Sequence, residues 1–197
     1  EQHHLQLAVL DAVRARCEVS LHGVGLSLGS ADPLDQEHLA RLQRLVERVE
    51  PALVSDHVAW SGVDGVCLND LLPVPCTAEA LVHMAARIGQ VQDRLRRQIL
   101  VENASSYISY AGAEMPEWEF VATLARRAGC LLLVDVNNIH VSACNHGFDP
   151  LQYLDAMPPD LVAEYHIAGH SVVEAAGGQL LVDTHDAPVT AAVWTLL

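Results

Sequence analysis

Apolar and polar positions along the chain alternate between two periodicities, and this alternation predicts an α/β protein. Stretches with apolar residues at helical spacing cover 3–16, 33–50, 78–97 and 115–129. Short continuous apolar runs lie at 18–29, 51–60, 98–105, 130–138, 161–170 and 179–186. Continuous apolar runs that alternate with helices are typical of strands buried on both faces of a parallel sheet.

Local signals predict where several of these elements begin and end. Asp32 followed by Pro33 predicts an N-cap and the first residue of a helix. Gly129 predicts the end of another helix. Residues 61–76, rich in Gly, Asn and Pro, predict a loop. Further helix starts are predicted by Thr77, by Asp149 with Pro150, and by Pro188.

Two architectures fit this alternation: a doubly wound open sheet and a (β/α) barrel. A doubly wound sheet concentrates its chemistry at one switch point, often beside a glycine-rich phosphate loop. Here each apolar run ends in His, Glu, Asp or Asn, and no such loop is present. Because a barrel brings all strand ends to one mouth, we predict a single TIM (β/α)8-type barrel domain over residues 1–197.

The polar residues at the strand ends form a mixed set of imidazoles and carboxylates. The set comprises His22, His57, Glu102, Asp135, His166, Asp183 and His185. Several carboxylates in one cavity would repel each other unless cations compensate them. Imidazole and carboxylate together suit Fe, Mn or Zn, and seven ligands exceed the need of one ion. Asn103 and Asn138 could complete the set or orient its members.

Each of these residues also has a structural interpretation. A single histidine at a strand end is more often hydrogen-bonded than metal-bound, and Glu102 and Asp135 could be N-caps at βα turns. Asp183 and His185 alone would be a weak motif. The recurrence over successive strands is what favours a metal site.

Composition excludes several other functions. The net charge of −14 argues against binding nucleic acid or an anionic membrane surface. The five cysteines are odd in number and widely spaced, which is typical of reduced thiols in a cytoplasmic protein. No apolar run is long enough to cross a membrane.

Several motifs together resemble one protein family. They are "SLHGVGLSLGSADPLD", "SDHVAWSG", "NDLLPVPCTAEAL", "VENASSY", "LLLVDVNNIHVSACNHGFDP", "EYHIAGH" and "DTHDAPVTAAVW". They are similar to the iron-dependent TIM-barrel family of the methanobactin biosynthesis enzyme MbnB and the related TglH. The resemblance covers almost the whole chain.

This resemblance implies a barrel that holds two or three iron ions and modifies cysteine residues of a ribosomally synthesised precursor peptide with O2. It also implies a separate partner protein that presents the peptide. The implied ligands fall on the seven residues above and on Asn138, with Glu102 as the bridging carboxylate and Glu102 and Asp135 as the catalytic pair. His140 stands where the family more often has an aromatic residue, and we do not count it as a ligand.

Members of this family are usually longer, with strands before and after the segment seen here. We therefore expect a truncated barrel, without its N-terminal strands and its last strand. Two rival hypotheses remain open: a Zn- or Mn-dependent isomerase or hydrolase of the sugar-isomerase-like barrel type, and a non-catalytic metal-binding fragment.

Overall fold

The structure, a computed structural model, describes residues 2–175 and 178–197, with side chains from residue 6 onward. Its helices are α1 (Gln2–Arg14), α2 (Gln36–Val49), α3 (Ala78–Leu95), α4 (Glu117–Ala128), α5 (Val136–His146), α6 (Pro150–Ala156) and α7 (Ala191–Leu196). Its strands are β1 (Ser20–His22), β2 (Leu53–His57), β3 (Ala59–Val63), β4 (Val66–Pro73), β5 (Leu100–Glu102), β6 (Leu131–Asp135), β7 (Val162–His166), β8 (Ser171–Ala175) and β9 (Gly178–Val182). No described helix is both long enough and apolar enough to cross a membrane.

Five strands form one parallel sheet in the order β1-β2-β5-β6-β7. Helices α2, α3 and α4 each connect one of these strands to its neighbour, as the alternating pattern predicts. The sheet curls like half of a barrel, so the α/β prediction is confirmed and the described strands make an open, curved sheet rather than a closed ring.

Strand residues alternate between a convex face under the helices and a concave face. On the convex side Val54, Val101 and Leu132 belong to a core that also includes Met84 of α3 and Phe120 of α4. This burial excludes water and supplies the main favourable free energy of folding. The concave side carries the residues at alternate positions, and these become polar at the C-terminal ends of the strands.

The observed helix ends confirm some of the capping residues predicted from the sequence and correct others. Thr77 and Asp149 are N-caps and Gly129 is a C-cap in left-handed conformation, as predicted. The prediction that Asp32 and Pro33 open α2 is wrong. Asp35 is the N-cap, because its carboxylate accepts hydrogen bonds from the amides of Glu37 and His38. The last helix begins at Ala191 after the N-cap Thr190, and not at Pro188.

Two antiparallel hairpins interrupt the α/β alternation. The predicted loop over 61–76 is mostly the hairpin β3–β4, which turns at Asp64-Gly65 with both residues at positive φ. Asp-Gly is a strong hairpin signal that outweighed the loop-like composition. The run 179–186 is not a further parallel strand, since β9 pairs antiparallel with β8. The residues of a short apolar run do not indicate whether the strand pairs parallel or antiparallel.

Candidate metal centre

Each strand of the parallel sheet ends on one residue of the expected ligand set. His22 ends β1, His57 ends β2, Glu102 ends β5, Asp135 ends β6 and His166 ends β7. The strand register pairs His57 with Glu102 and Asp135 with His166. Parallel pairing therefore places all five side chains at the C-terminal rim of the concave face, with Glu102 on the central strand.

Glu102 is the centre of the first cluster. Its Oε2 lies 3.1 Å from Nε2 of His22 and 3.1 Å from Nε2 of His57, while Oε1 lies 3.4 Å from Nδ1 of His166. Among the described residues, the group with one ligand atom each within 4.8 Å of one another is His22, Glu102 and His166. Two ligand atoms bound to the same ion at right angles are about 3 Å apart, so this spacing suits a shared cation.

The tautomer of His57 explains why this arrangement favours a cation. Nδ1 of His57 lies 3.1 Å from the carbonyl oxygen of Gly23, which can only accept a hydrogen bond. Nδ1 therefore carries the proton, and Nε2 of the neutral ring turns a lone pair towards Glu102. Burial lowers the pKa of His57 and favours this neutral form, although Glu102 and Asp56 oppose the shift. Without a cation, two lone pairs would face each other.

The residues of the first cluster shift each other's pKa values in opposite directions. Burial raises the pKa of Glu102, but the imidazoles of His166 and His22 outweigh it and bring the pKa down to about 2. The hydrogen bond with Glu102 raises the pKa of His166. Glu102 is therefore an anion at neutral pH. Where no metal is bound, the hydrogen bond from His166 compensates this negative charge.

Asp135 is an N-cap, and one of its two carboxylate oxygens remains free for a cation. Its Oδ1 accepts a hydrogen bond of 2.7 Å from the amide of Asn138, so it is the N-cap of α5. Its Oδ2 is buried and accepts no hydrogen bond. Because one oxygen stabilises the helix and the other remains free, the N-cap does not exclude a ligand role.

Asp183 and His185 reach the rim from the second hairpin rather than from a parallel strand. Asp183 Oδ1 lies 2.7 Å from Nδ1 of His185, and His185 Nε2 lies 3.6 Å from Oδ2 of Asp135. The nearby Asp135 carboxylate raises the pKa of His185 to about 9. Asp183 adds to this effect, and burial opposes it. Burial raises the pKa of Asp183 to about 6, against the effect of His185. These residues form a second cluster around Asp135.

Asparagines connect the two clusters. Asn103 exchanges two hydrogen bonds with the backbone of Asp135, at 2.9 and 3.0 Å. Asn138 donates from Nδ2 to the carbonyl of Asn103, which leaves its buried Oδ1 without a partner. Asn137, which the sequence did not single out, donates to Asp183 at 2.8 Å. The tandem Asn137-Asn138 after a strand end was the available signal.

The unpaired acceptors test whether a cation fits. Glu102 Oε2, Asp135 Oδ2 and Asn138 Oδ1 are buried oxygen atoms without a hydrogen bond. Leaving a buried acceptor unpaired costs about 1–3 kcal/mol. Imidazole nitrogen, carboxylate oxygen and amide oxygen are ligands of first-row divalent metals. The residues at the rim therefore fit a bound metal.

A family model describing the RiPP precursor modification enzymes MbnB/TglH/ChrH matches residues 1–197. The chain belongs to this family. UPF0276 proteins of Caulobacter vibrioides (strain NA1000 / CB15N) and Anaeromyxobacter sp. (strain Fw109-5) are 52% and 53% identical to it over 190 residues. These alignments cover 96% of the chain and 66% of each relative, so the chain spans about two thirds of their length.

Solved structures agree with the curved sheet. A D-psicose 3-epimerase matches with a TM-score of 0.53 and 12% identity, over 82% of this chain and 57% of that one. A 3-keto-D-glucoside 4-epimerase from E. coli matches with a TM-score of 0.54 and 15% identity, over 98% and 73%. At this level of identity the likeness shows a fold of the TIM-barrel-like sugar epimerases, and nothing about the reaction.

Proposed function

We propose that this chain forms the metal centre of an enzyme that oxidatively modifies cysteine residues of a ribosomally synthesised peptide with iron and O2. Membership of a family of RiPP precursor modification enzymes supports the peptide as substrate. The observation that carries the metal assignment is Glu102 Oε2, buried, without a hydrogen bond and 3.1 Å from Nε2 of both His22 and His57.

The residues that would hold the metal are the eight at the rim: His22, His57, Glu102, Asp135, Asn138, His166, Asp183 and His185. The clusters around Glu102 and Asp135 would together hold two or three irons. Iron supplies a site for the substrate thiolate and the electrons that reduce O2. Glu102 and Asp135, as the most deeply buried carboxylates of the set, supply the fixed negative charge.

We infer from side-chain exposure the direction from which a peptide thiol would enter. The side chain of Glu102 is 1% exposed, whereas those of His22, His166 and His185 are 29%, 30% and 49% exposed. The three histidines therefore line the open side, and the carboxylates lie behind them. His166 and His185 must each release a proton to act as ligands, so metal binding should weaken at low pH.

The first test is metal content after expression in iron-replete medium without a metal-chelating tag. Two or more irons per chain, lost in Glu102→Gln, would support the proposal. Glu119→Gln is a matched control, since Glu119 is an exposed glutamate on α4, outside the eight rim residues. Its metal content should be unchanged.

The second test is iron-dependent O2 consumption with a cysteine-containing peptide, with and without a presenting partner protein. O2 consumption that is lost when serine replaces cysteine in the peptide would support the reaction. Zinc or manganese in place of iron, with no O2 uptake, would instead support a redox-inert isomerase or hydrolase. The absence of any tightly bound metal would contradict the proposal and support a non-catalytic fragment.

A further inference from the structure

A second group of metal-ligating side chains lies outside the rim described above. It comprises His140 and Cys144, one helical turn apart on α5, and His170 in the segment between β7 and β8. His140 Nε2 lies 3.8 Å from the Sγ of Cys144. The rings of His140 and His170 have centroids 5.1 Å apart, the same separation as between His22 and His166.

We propose that His140, Cys144 and His170 form a separate binding site for a borderline divalent cation such as Zn²⁺. For tetrahedral Zn²⁺ with its usual bond lengths, a thiolate sulfur and an imidazole nitrogen lie about 3.6 Å apart. Two imidazole centroids on such an ion are about 5 Å apart. The separations of 3.8 and 5.1 Å approach both values, although the three ligand atoms are not all within 4.8 Å of one another, so binding requires side-chain rotation. This inference does not depend on the proposed function.

Hydrogen bonds fix the ligand form of His170. The Asp183 carboxylate is an acceptor, so Asn137 turns its Nδ2 towards Asp183 and its Oδ1 towards His170. Asn137 Oδ1 can only accept, and Nδ1 of His170, 2.8 Å away, must therefore carry the proton. Nε2 of the neutral ring keeps its lone pair, as in metal-bound histidines whose second nitrogen donates to an oxygen.

The surroundings allow the remaining adjustment. Cys144 is exposed, and His140 and His170 are half-buried, so the side chains can rotate to bring the thiolate and both nitrogens onto one ion. A thiolate with two imidazoles favours Zn²⁺ over the hard cations, which prefer oxygen. The candidate metal centre contains no cysteine, so ligation by sulfur distinguishes the two sites.

Cobalt(II) titration of the full chain tests this site, because Co²⁺ replaces Zn²⁺ and its thiolate complex has a charge-transfer band in the near ultraviolet. We expect the band to appear once Co²⁺ has also filled the candidate metal centre, to saturate at one thiolate-bound Co²⁺ per chain, and to be removed by Zn²⁺. Cys144→Ser should abolish the band. His140→Phe and His170→Gln should each weaken, at least tenfold, the Co²⁺ binding that the thiolate band reports. Cys67→Ser, which changes an exposed cysteine on β4, is the matched control.

The outcomes are decisive in both directions. A band that needs Cys144, both histidines and no other cysteine establishes the site. No band in the unmodified chain, a band that persists in Cys144→Ser, or a band unaffected by both histidine variants overturns it. A band whose amplitude per chain falls on dilution of the protein at constant, saturating free Co²⁺, or that needs Cys67, shows bridging between molecules and also overturns it.

Discussion

Ser20 donates a hydrogen bond of 3.0 Å from its Oγ to Oε2 of Glu164, although the two residues are 144 positions apart. Ser20 lies on β1 and Glu164 on β7, the two edges of the parallel sheet. The contact therefore spans the concave face. It shows that five strands curl enough for side chains of opposite edges to touch, which brings His22 and His166 to the same carboxylate.

Removing this cross-sheet contact should cost little stability. Ser20→Ala and Glu164→Gln should each lower the free energy of unfolding by about 0.5–1 kcal/mol, since the hydrogen bond is accessible to solvent. Urea unfolding of both single variants and the double variant would measure the coupling. Ser109→Ala, which changes an exposed loop serine, is the control. Fully additive losses would show that the bond does not join the edges in solution.

Asn145 should hold the second hairpin against α5. Its side chain makes two hydrogen bonds with the backbone of Leu181, at 2.9 and 3.0 Å. We expect Asn145→Ala to increase amide exchange of β9 and of the following segment with Asp183 and His185, with a small effect on global unfolding. Gln179→Ala, an exposed change in the same hairpin, should leave exchange at Leu181 unchanged. Equal exchange in both variants would show that Asn145 does not clamp β9.

Gly169 should be essential for the position of His185. A Cβ at residue 169 would overlap the carbonyl oxygen of Ala187, and the carbonyl of Gly169 accepts a hydrogen bond from the amide of His185. We expect Gly169→Ala to lower the free energy of unfolding by about 2 kcal/mol or more and to weaken metal binding. Gly89→Ala is the control, because nothing lies within 4 Å of its Cβ.

In α3 the Gly89→Ala change should be neutral or stabilising by up to about 1 kcal/mol, since alanine has the higher helix propensity. Thermal unfolding of both variants would compare the two sites. If Gly169→Ala were as stable as Gly89→Ala and bound metal normally, the close backbone approach would not exist in solution.

Glu117 should make stability depend on pH. Burial raises its pKa from 4.5 to about 7, against the hydrogen bond from Tyr153. The folded state therefore binds a proton more tightly than the unfolded state. This contribution is fully present below about pH 4.5 and is lost as the pH rises through 7. The loss should be about 2 kcal/mol, below the full value of the shift because the side chain keeps some contact with solvent.

Urea unfolding between pH 5 and pH 8 would measure this dependence, with pH values chosen to bracket the pKa of about 7. The difference in stability between the unmodified chain and Glu117→Gln should change with pH in this window. Glu119→Gln, an exposed change on the same helix, should show a constant difference. Parallel curves for Glu117→Gln would mean that Glu117 is ionised in the folded protein at all these pH values.

The order of apolar and polar residues was enough to predict the α/β class and the residues at the strand ends. The spacing of apolar residues along the chain reflects burial, because continuous apolar runs must lie inside the protein. A polar residue after such a run marks where the strand leaves the core. This was enough to select His22, His57, Glu102, Asp135 and His166, which the structure brings together. Whether they bind metal remains a proposal.

How other residues meet depends on the three-dimensional packing of the chain. Asp183 and His185 were expected on a parallel strand, but they arrive from an antiparallel hairpin, because the pairing partner of a strand is not encoded in its own residues. The role of Asn137 and the contact between Ser20 and Glu164 likewise depend on atoms distant in sequence. Local pattern specifies which face a residue occupies, whereas the curvature of the sheet specifies which residues share the site.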